Sequence, residues 1–301
     1  MSKILILIIA IVVIVAIVMV VQQFKPSNLG SINIGSLFKV NYSVPSGLSG
    51  QKSNISYSTG GNAPTPVAQK PEPTPPAGFK VAQLSPYYGE IKIGNVSPGS
   101  YNGVAQFSLN ASYGGLKAPI DVTGWRLSSN SGQVIIPQAI ADYTPGGSGF
   151  PGDITLGSGE TLNVYSSASP IVQNLRLNAC TGYLNNTYTF VPALPQSCAA
   201  AYDRSAIATF SGSCQNYILS IWGCSVPTAN RINSFSNEPA CQSFLNTKFG
   251  YSACYYANRF QPNFFSNIWD AWIGGPLNLD PSHDRLLLWD KQGLLVDEYI
   301  Y

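Results

Sequence analysis

The chain has 301 residues, of which 45% are hydrophobic and only 10% charged, with a formal charge of +2, one histidine and six cysteines. That length holds one or two globular domains, and so weak a charge without a basic stripe disfavours nucleic-acid binding. A single imidazole rules out most acid–base schemes that need two, and the scarcity of charge leaves the surface to Ser, Asn, Thr, Gly and the 17 tyrosines, a composition typical of exported proteins.

Residues 1–3 form a short polar tail, and residues 4–21 are an unbroken apolar run without Pro, Gly or charge. At 1.5 Å per residue this run reaches about 27 Å. Admitting Gln22 and Gln23 to the interface predicts a transmembrane helix over 4–23. A cleaved signal peptide would carry a shorter apolar stretch and a small-residue cleavage pattern, whereas Gln22-Gln23-Phe24-Lys25 is bulky. The reading is a retained anchor.

Residues 24–78 read as a linker, polar at first, with one alternating patch around Ile32, Ile34 and Leu37 that predicts a short strand. From 60 to 78 it becomes a Pro-rich tract, with Pro64, Pro66, Pro71, Pro73, Pro75 and Pro76. Such a tract favours polyproline II and would form a semi-rigid stalk of roughly 50 Å.

The folded part is expected over 79–301. Alternating polarity predicts strands at 90–96 and 103–112, a hairpin within 120–136 turning at Ser131-Gly132, a strand at 161–166, and a closing hairpin from Leu286 that turns at Lys291-Gln292-Gly293. Trp125 and Leu127 point to one face of their strand and Arg126 to the other. Short strands divided by turns argue for a sandwich. From Leu175 to about Asn267 this rhythm breaks, and a helical insertion over about 178–268 holds Cys180, Cys198, Cys214, Cys224, Cys241 and Cys254.

Within the insertion, helical spacing predicts helices at 213–222 and 239–249, with Ser213 and Asn237 as N-caps. Taken as an antiparallel pair, they favour the nested bridges Cys214 to Cys254 and Cys224 to Cys241, with Cys180 joined to Cys198. No two cysteines stand as Cys-x-x-Cys and His283 lies outside the cluster, so no metal site is expected from them. An even number of cysteines behind an anchor implies an oxidising compartment.

Several stretches taken together resemble the lamin-tail domain: Gly124-Trp125-Arg126-Leu127 with the turn that follows, Ile154-Thr155-Leu156-Gly157-Ser158-Gly159-Glu160, and Asp284-Arg285-Leu286-Leu287-Leu288-Trp289-Asp290-Lys291-Gln292-Gly293. The resemblance covers roughly 81–177 and 269–301 and implies a small immunoglobulin-like β-sandwich. The Cys-bearing interruption departs from that family's compact pattern. The resemblance is nearly silent on activity, although microbial lamin-tail domains are also found attached to exported nucleases and phosphoesterases. The expected fold is therefore mainly β: an immunoglobulin-like, lamin-tail-like sandwich with a disulfide-bonded helical insertion, plus one N-terminal transmembrane helix.

Motifs that would carry chemistry read as loops. Gly147-Ser148-Gly149-Phe150-Pro151-Gly152 has the letters of a phosphate loop but contains proline and runs into a strand rather than a helix. Asp280-Pro281-Ser282-His283-Asp284 reads as a turn whose second aspartate caps the following strand, with too few oxygens for a hard cation. No catalytic residue, metal ligand or cofactor is expected. The densest aromatic tract supplies the candidate binding residues Tyr251, Tyr255, Tyr256, Phe260, Trp269 and Trp272, with most of the tract packing the insertion onto the sandwich. These features predict a non-catalytic recognition or scaffolding protein. It would sit in the plasma membrane by a single pass with its C-terminal domain outside the cytoplasm, and bind a protein or glycan at the cell surface. The alternatives are an exported hydrolase, with Asp203, Glu238 and Asp270 as candidate acids, and an envelope subunit that self-associates through sheet edges.

Overall fold

The computed structural model describes residues 73–99, 103–147 and 149–301. The expected anchor at 4–23, Ser148 of the glycine-rich loop, and the linker up to residue 72 with its expected strand lie outside them. The described residues belong to one compact unit. No helix among the described residues is long and apolar enough to cross a membrane.

The strands, in chain order, are β1 Ile91–Ser97, β2 Gln106–Ala111, β3 Ile120–Asp121, β4 Arg126–Ser128, β5 Gln133–Ile135, β6 Thr155–Leu156, β7 Thr161–Tyr165, β8 Leu175–Asn178, β9 Phe265–Trp272, β10 Arg285–Trp289 and β11 Leu295–Ile300. They form a five-stranded sheet in the order β1-β2-β7-β9-β8, a four-stranded sheet β11-β10-β4-β5, and the small pair β3-β6. The expected hairpins are present as β4–β5 and β10–β11, both antiparallel.

Alternation sets which side chains go inward. Phe107, Leu109, Leu162 and Val164 of the larger sheet and Leu127, Leu286, Leu288 and Val296 of the smaller one join Trp125 in a single core. Trp125 and Leu127 are both buried, as their shared face requires. Gly124 makes the entry to that strand, with φ +75°, a region a side chain rarely adopts. Its N–H donates to Ile136 O and that of Trp125 to Val122 O. This sheet-rich, sandwich-like body is also closed along one side. Ser85 and Gly89 donate N–H bonds to Leu295 O and Val296 O, and Ile93 N–H donates to Asp297 Oδ2 at 2.8 Å, tying β1 to β11.

The strand rhythm extends further than expected. β8 lies within the stretch read as a break, and the insertion leaves from its end and returns as β9. β9 pairs antiparallel with β8 and parallel with β7. A parallel partner far along the chain leaves no local signature, which is why the alternation alone did not reveal it. On the face of the larger sheet turned away from the main core, Tyr165, Leu175, Leu177 and Trp272 meet Leu184 and Phe190 of the insertion in a second core. The insertion is thus a third layer on the sheet.

The insertion contains α1 Gly212–Ser220, α2 Ala229–Asn233, α3 Pro239–Thr247 and α4 Tyr251–Asn258. The expected helices are α1 and α3, while α2 and α4 are additional. Ser211 rather than Ser213 caps α1, its Oγ accepting from Cys214 N–H at 3.2 Å. Glu238 rather than Asn237 holds the N-cap position of α3, with Pro239 in the first turn.

All six cysteines are oxidised, but the nested pairing is wrong in every bridge: the disulfides are Cys180–Cys254, Cys198–Cys224 and Cys214–Cys241. Two features account for the difference. α1 and α3 begin side by side, with Ser211 Oγ donating to Glu238 Oε1 at 2.9 Å, so Cys214 and Cys241 face each other near their helix starts. Cys254 lies on the unforeseen α4, which packs back toward the end of β8 and delivers it to Cys180.

Candidate functional site

The aromatic tract divides by burial. Trp269 lies in the sandwich core, and Trp272 in the core beneath the insertion. Tyr255 is buried and its hydroxyl donates to Asp142 Oδ2 at 2.8 Å. Tyr251 is half-buried, donating to Tyr143 O and accepting from Asn178 Nδ2. Burial holds its hydroxyl well above the ordinary tyrosine range. Trp272, Tyr251 and Tyr255 fasten the insertion to the rest of the fold, whereas Trp269 packs the sandwich itself. Tyr256 and Phe260 are the exposed members, with the Arg259 guanidinium over both rings.

Three strongly exposed rings were not among the candidates: Tyr113 and Phe150 outside the insertion and Trp222 within it. Trp222 is 76% exposed, although the expected helix ran through it to residue 222. The helix ends at Ser220 and the chain turns at Gly223, φ +56°. A Cβ on Gly223 would lie 2.3 Å from Gln196 O, so only glycine lets this turn press against the 195–198 segment. Cys198–Cys224 locks the same contact covalently. The Trp-Gly-Cys triplet was the available signal: a glycine and a cysteine directly after the ring announce a pinned turn, not a continuing helix.

Two hollows flank the 195–198 segment. One, of about 220 Å³, has Phe264, Ile268 and Pro195 as its apolar surfaces and Ser197, Asn263 and Ser266 among its polar ones. The other, of about 240 Å³, lies under Trp222 and shares Ser197. Neither is lined by a charged residue. The side chains of Ser197 and Asn263 are exposed and make no hydrogen bond among the described residues.

The acidic residues are dispersed. Asp203 caps a 3-10 turn through Ser205 N–H, which holds its carboxyl below the usual carboxylate range. Glu238 accepts from Ser211. Asp270 is buried in the larger sheet, accepting from Asn163 Nδ2 at 2.9 Å and from the Tyr165 hydroxyl at 3.5 Å. Burial pushes its pKa up to about 6, and those two bonds only partly offset the rise. No two of these three acids share a group of potential metal ligands. Among the described residues the one such group is Cys214, Glu238 and Cys241, and its two sulfurs are bonded to each other, leaving no thiolate to coordinate a metal.

The Asp280 to Asp284 stretch is a turn, as expected. Asp280 Oδ1 accepts from the N–H groups of Ser282 and His283. Asp284 takes N–H bonds from Asn130, Asp280 and Arg285.

No protein-family model, curated protein or solved structure matches this chain. Its function therefore has to be read from its own residues.

Proposed function

We propose that this is a single-pass membrane protein whose Pro-rich stalk displays a lamin-tail-like, immunoglobulin-like sandwich outside the cytoplasm, and that its cystine-bonded insertion recognises a surface partner without catalysing a reaction. The observation that carries the reading is that three exposed rings, Trp222, Tyr256 and Phe260, stand on an insertion whose six cysteines are all bonded. Large aromatics left in water on a rigid support suit recognition, because they offer contact area with little entropy left to lose. The apolar run at 4–21 supports the anchor. The cystines support an oxidising compartment.

The test is protease treatment of intact native cells, followed by immunoblotting of the membrane fraction. The expected result is loss of the folded part, with a short anchored fragment left behind. Full protection until the cells are lysed would refute the proposed location.

A further inference from the structure

We infer that the paired hollows beside Trp222 form a binding site for a neutral oligosaccharide. The inference rests on the reading of the insertion as a recognition element and names the chemistry of what it recognises. The two hollows, of about 220 and 240 Å³, flank the 195–198 segment and share Ser197, so a chain of several sugar units can cross the segment and occupy both.

Their lining matches a sugar chain in three respects. The exposed Trp222 ring lines one hollow, and Pro195 and Ile268 line the other; the flat face of Trp222 can pack against the C–H face of a pyranose ring. The free polar groups are the Ser197 hydroxyl and the Asn263 amide, each able both to donate and to accept, as sugar hydroxyls require. No charged side chain lines either hollow, so an ionic ligand would be desolvated without a counter-charge.

Along the dividing segment Gln196 O accepts from Cys224 N–H, while the N–H groups of Gln196, Ser197 and Cys198 and the carbonyls of Ser197 and Cys198 have no main-chain partner among the described residues and add to the neutral donors and acceptors.

The site is also built in advance. The dividing segment is held by Cys198–Cys224 and by two glycine contacts: a Cβ on Gly223 would lie 2.3 Å from Gln196 O, and one on Gly182 would lie 2.1 Å from Pro195 O. A groove fixed in this way loses little freedom when it is filled.

The test titrates the full chain with maltohexaose, cellohexaose, mannohexaose and chitohexaose, with polygalacturonate as the anionic arm and an uncharged decapeptide as the peptide arm. Binding is read by calorimetry and tryptophan fluorescence. At least one neutral hexasaccharide should bind with Kd of about 1 mM or tighter. Trp222→Ala should weaken that binding at least tenfold and Asn263→Ala severalfold, with the unfolding midpoint unchanged because both side chains are exposed. Binding of none of the four, binding that both variants leave intact, or binding of the polyanion alone would overturn the inference. Peptide binding that Trp222→Ala abolishes, without sugar binding, would overturn the sugar assignment and leave the recognition reading standing. If wild type and Trp222→Ala capture the same partners from native membranes to the same extent, both fall.

Discussion

The sandwich and its insertion are held together by different physics. In the sandwich, two sheets bury one continuous core around Trp125, and ladder hydrogen bonds satisfy the main chain. The insertion has short helices and small separate clusters, one around Phe244 and Leu245 and one around Tyr255 and Phe264. A bridge anchors each cluster: Cys214–Cys241 lies in the first and Cys180–Cys254 in the second. Where a segment cannot bury enough apolar surface to offset its ordering entropy, covalent links that restrict the unfolded chain take over. A stapled layer can then leave rings such as Trp222 in water without losing its shape.

The sharpest way to break this contrast is to remove the core of one region and the staple of the other. Trp125→Ala should destabilise the sandwich by about 3–5 kcal/mol, the usual range for emptying a large buried ring site. Chemical denaturation followed by far-UV circular dichroism would show this, with the three bridges still intact on unreduced gels. Replacing Cys180 and Cys254 together by Ala opens a link spanning 74 residues. On the loop-entropy relation this costs roughly 4 kcal/mol. The loss should fall on the insertion, and hydrogen exchange should show α4 unprotected while β2 and β7 stay protected. Equal loss of protection in both regions would mean that they are one cooperative unit.

Asp270 sharpens the comparison at the boundary, since it sits in the sheet on the side that faces the insertion. Its folded pKa of about 6 lies above the ordinary aspartate value of 3.8, so the folded state binds the proton more tightly. The charged form is therefore the unfavourable one. Stability from this group is fully present below the unfolded value, declines as pH rises through about 6, and is lost above it. The shift corresponds to about 3 kcal/mol. Asp270→Asn should stabilise the protein at pH 7.5 and flatten the rise in melting temperature otherwise seen between pH 7.5 and pH 4.5. An unchanged pH profile would show that this carboxyl does not titrate in that window.

Smaller effects should follow at the surface. Ser211→Ala removes the cap of α1 and should cost about 1 kcal/mol, confined to the insertion. Lys291→Ala breaks an exposed ion pair with Asp121 and should shift the unfolding midpoint least of all, the shift shrinking further with salt.

The same contrast explains how much could be read from the amino acids alone. β1, β2, β7 and both hairpins were legible because alternation and a nearby turn specify them locally. β8 and β9 were not, because their pairing depends on a partner far along the chain. The oxidation of the cysteines was legible from their number, but their partners were not, because α4 redirects Cys254. At the candidate site, Tyr256 and Phe260 stood out by composition. Trp222 fell at the end of the expected helix rather than in the turn it occupies, and Ser197 and Asn263 give no local signal, since what distinguishes them is only that nothing in the fold claims their polar groups.

The central claim, a recognition surface held in shape by cystines in an oxidising compartment, is tested most directly by one measurement. The full chain is isolated from its native membranes with alkylating reagent present throughout, then digested and mapped without reduction. The account predicts peptides joining Cys180 to Cys254, Cys198 to Cys224 and Cys214 to Cys241, with no alkylated cysteine. Alkylated thiols at these positions, or a different set of joined peptides, would contradict it.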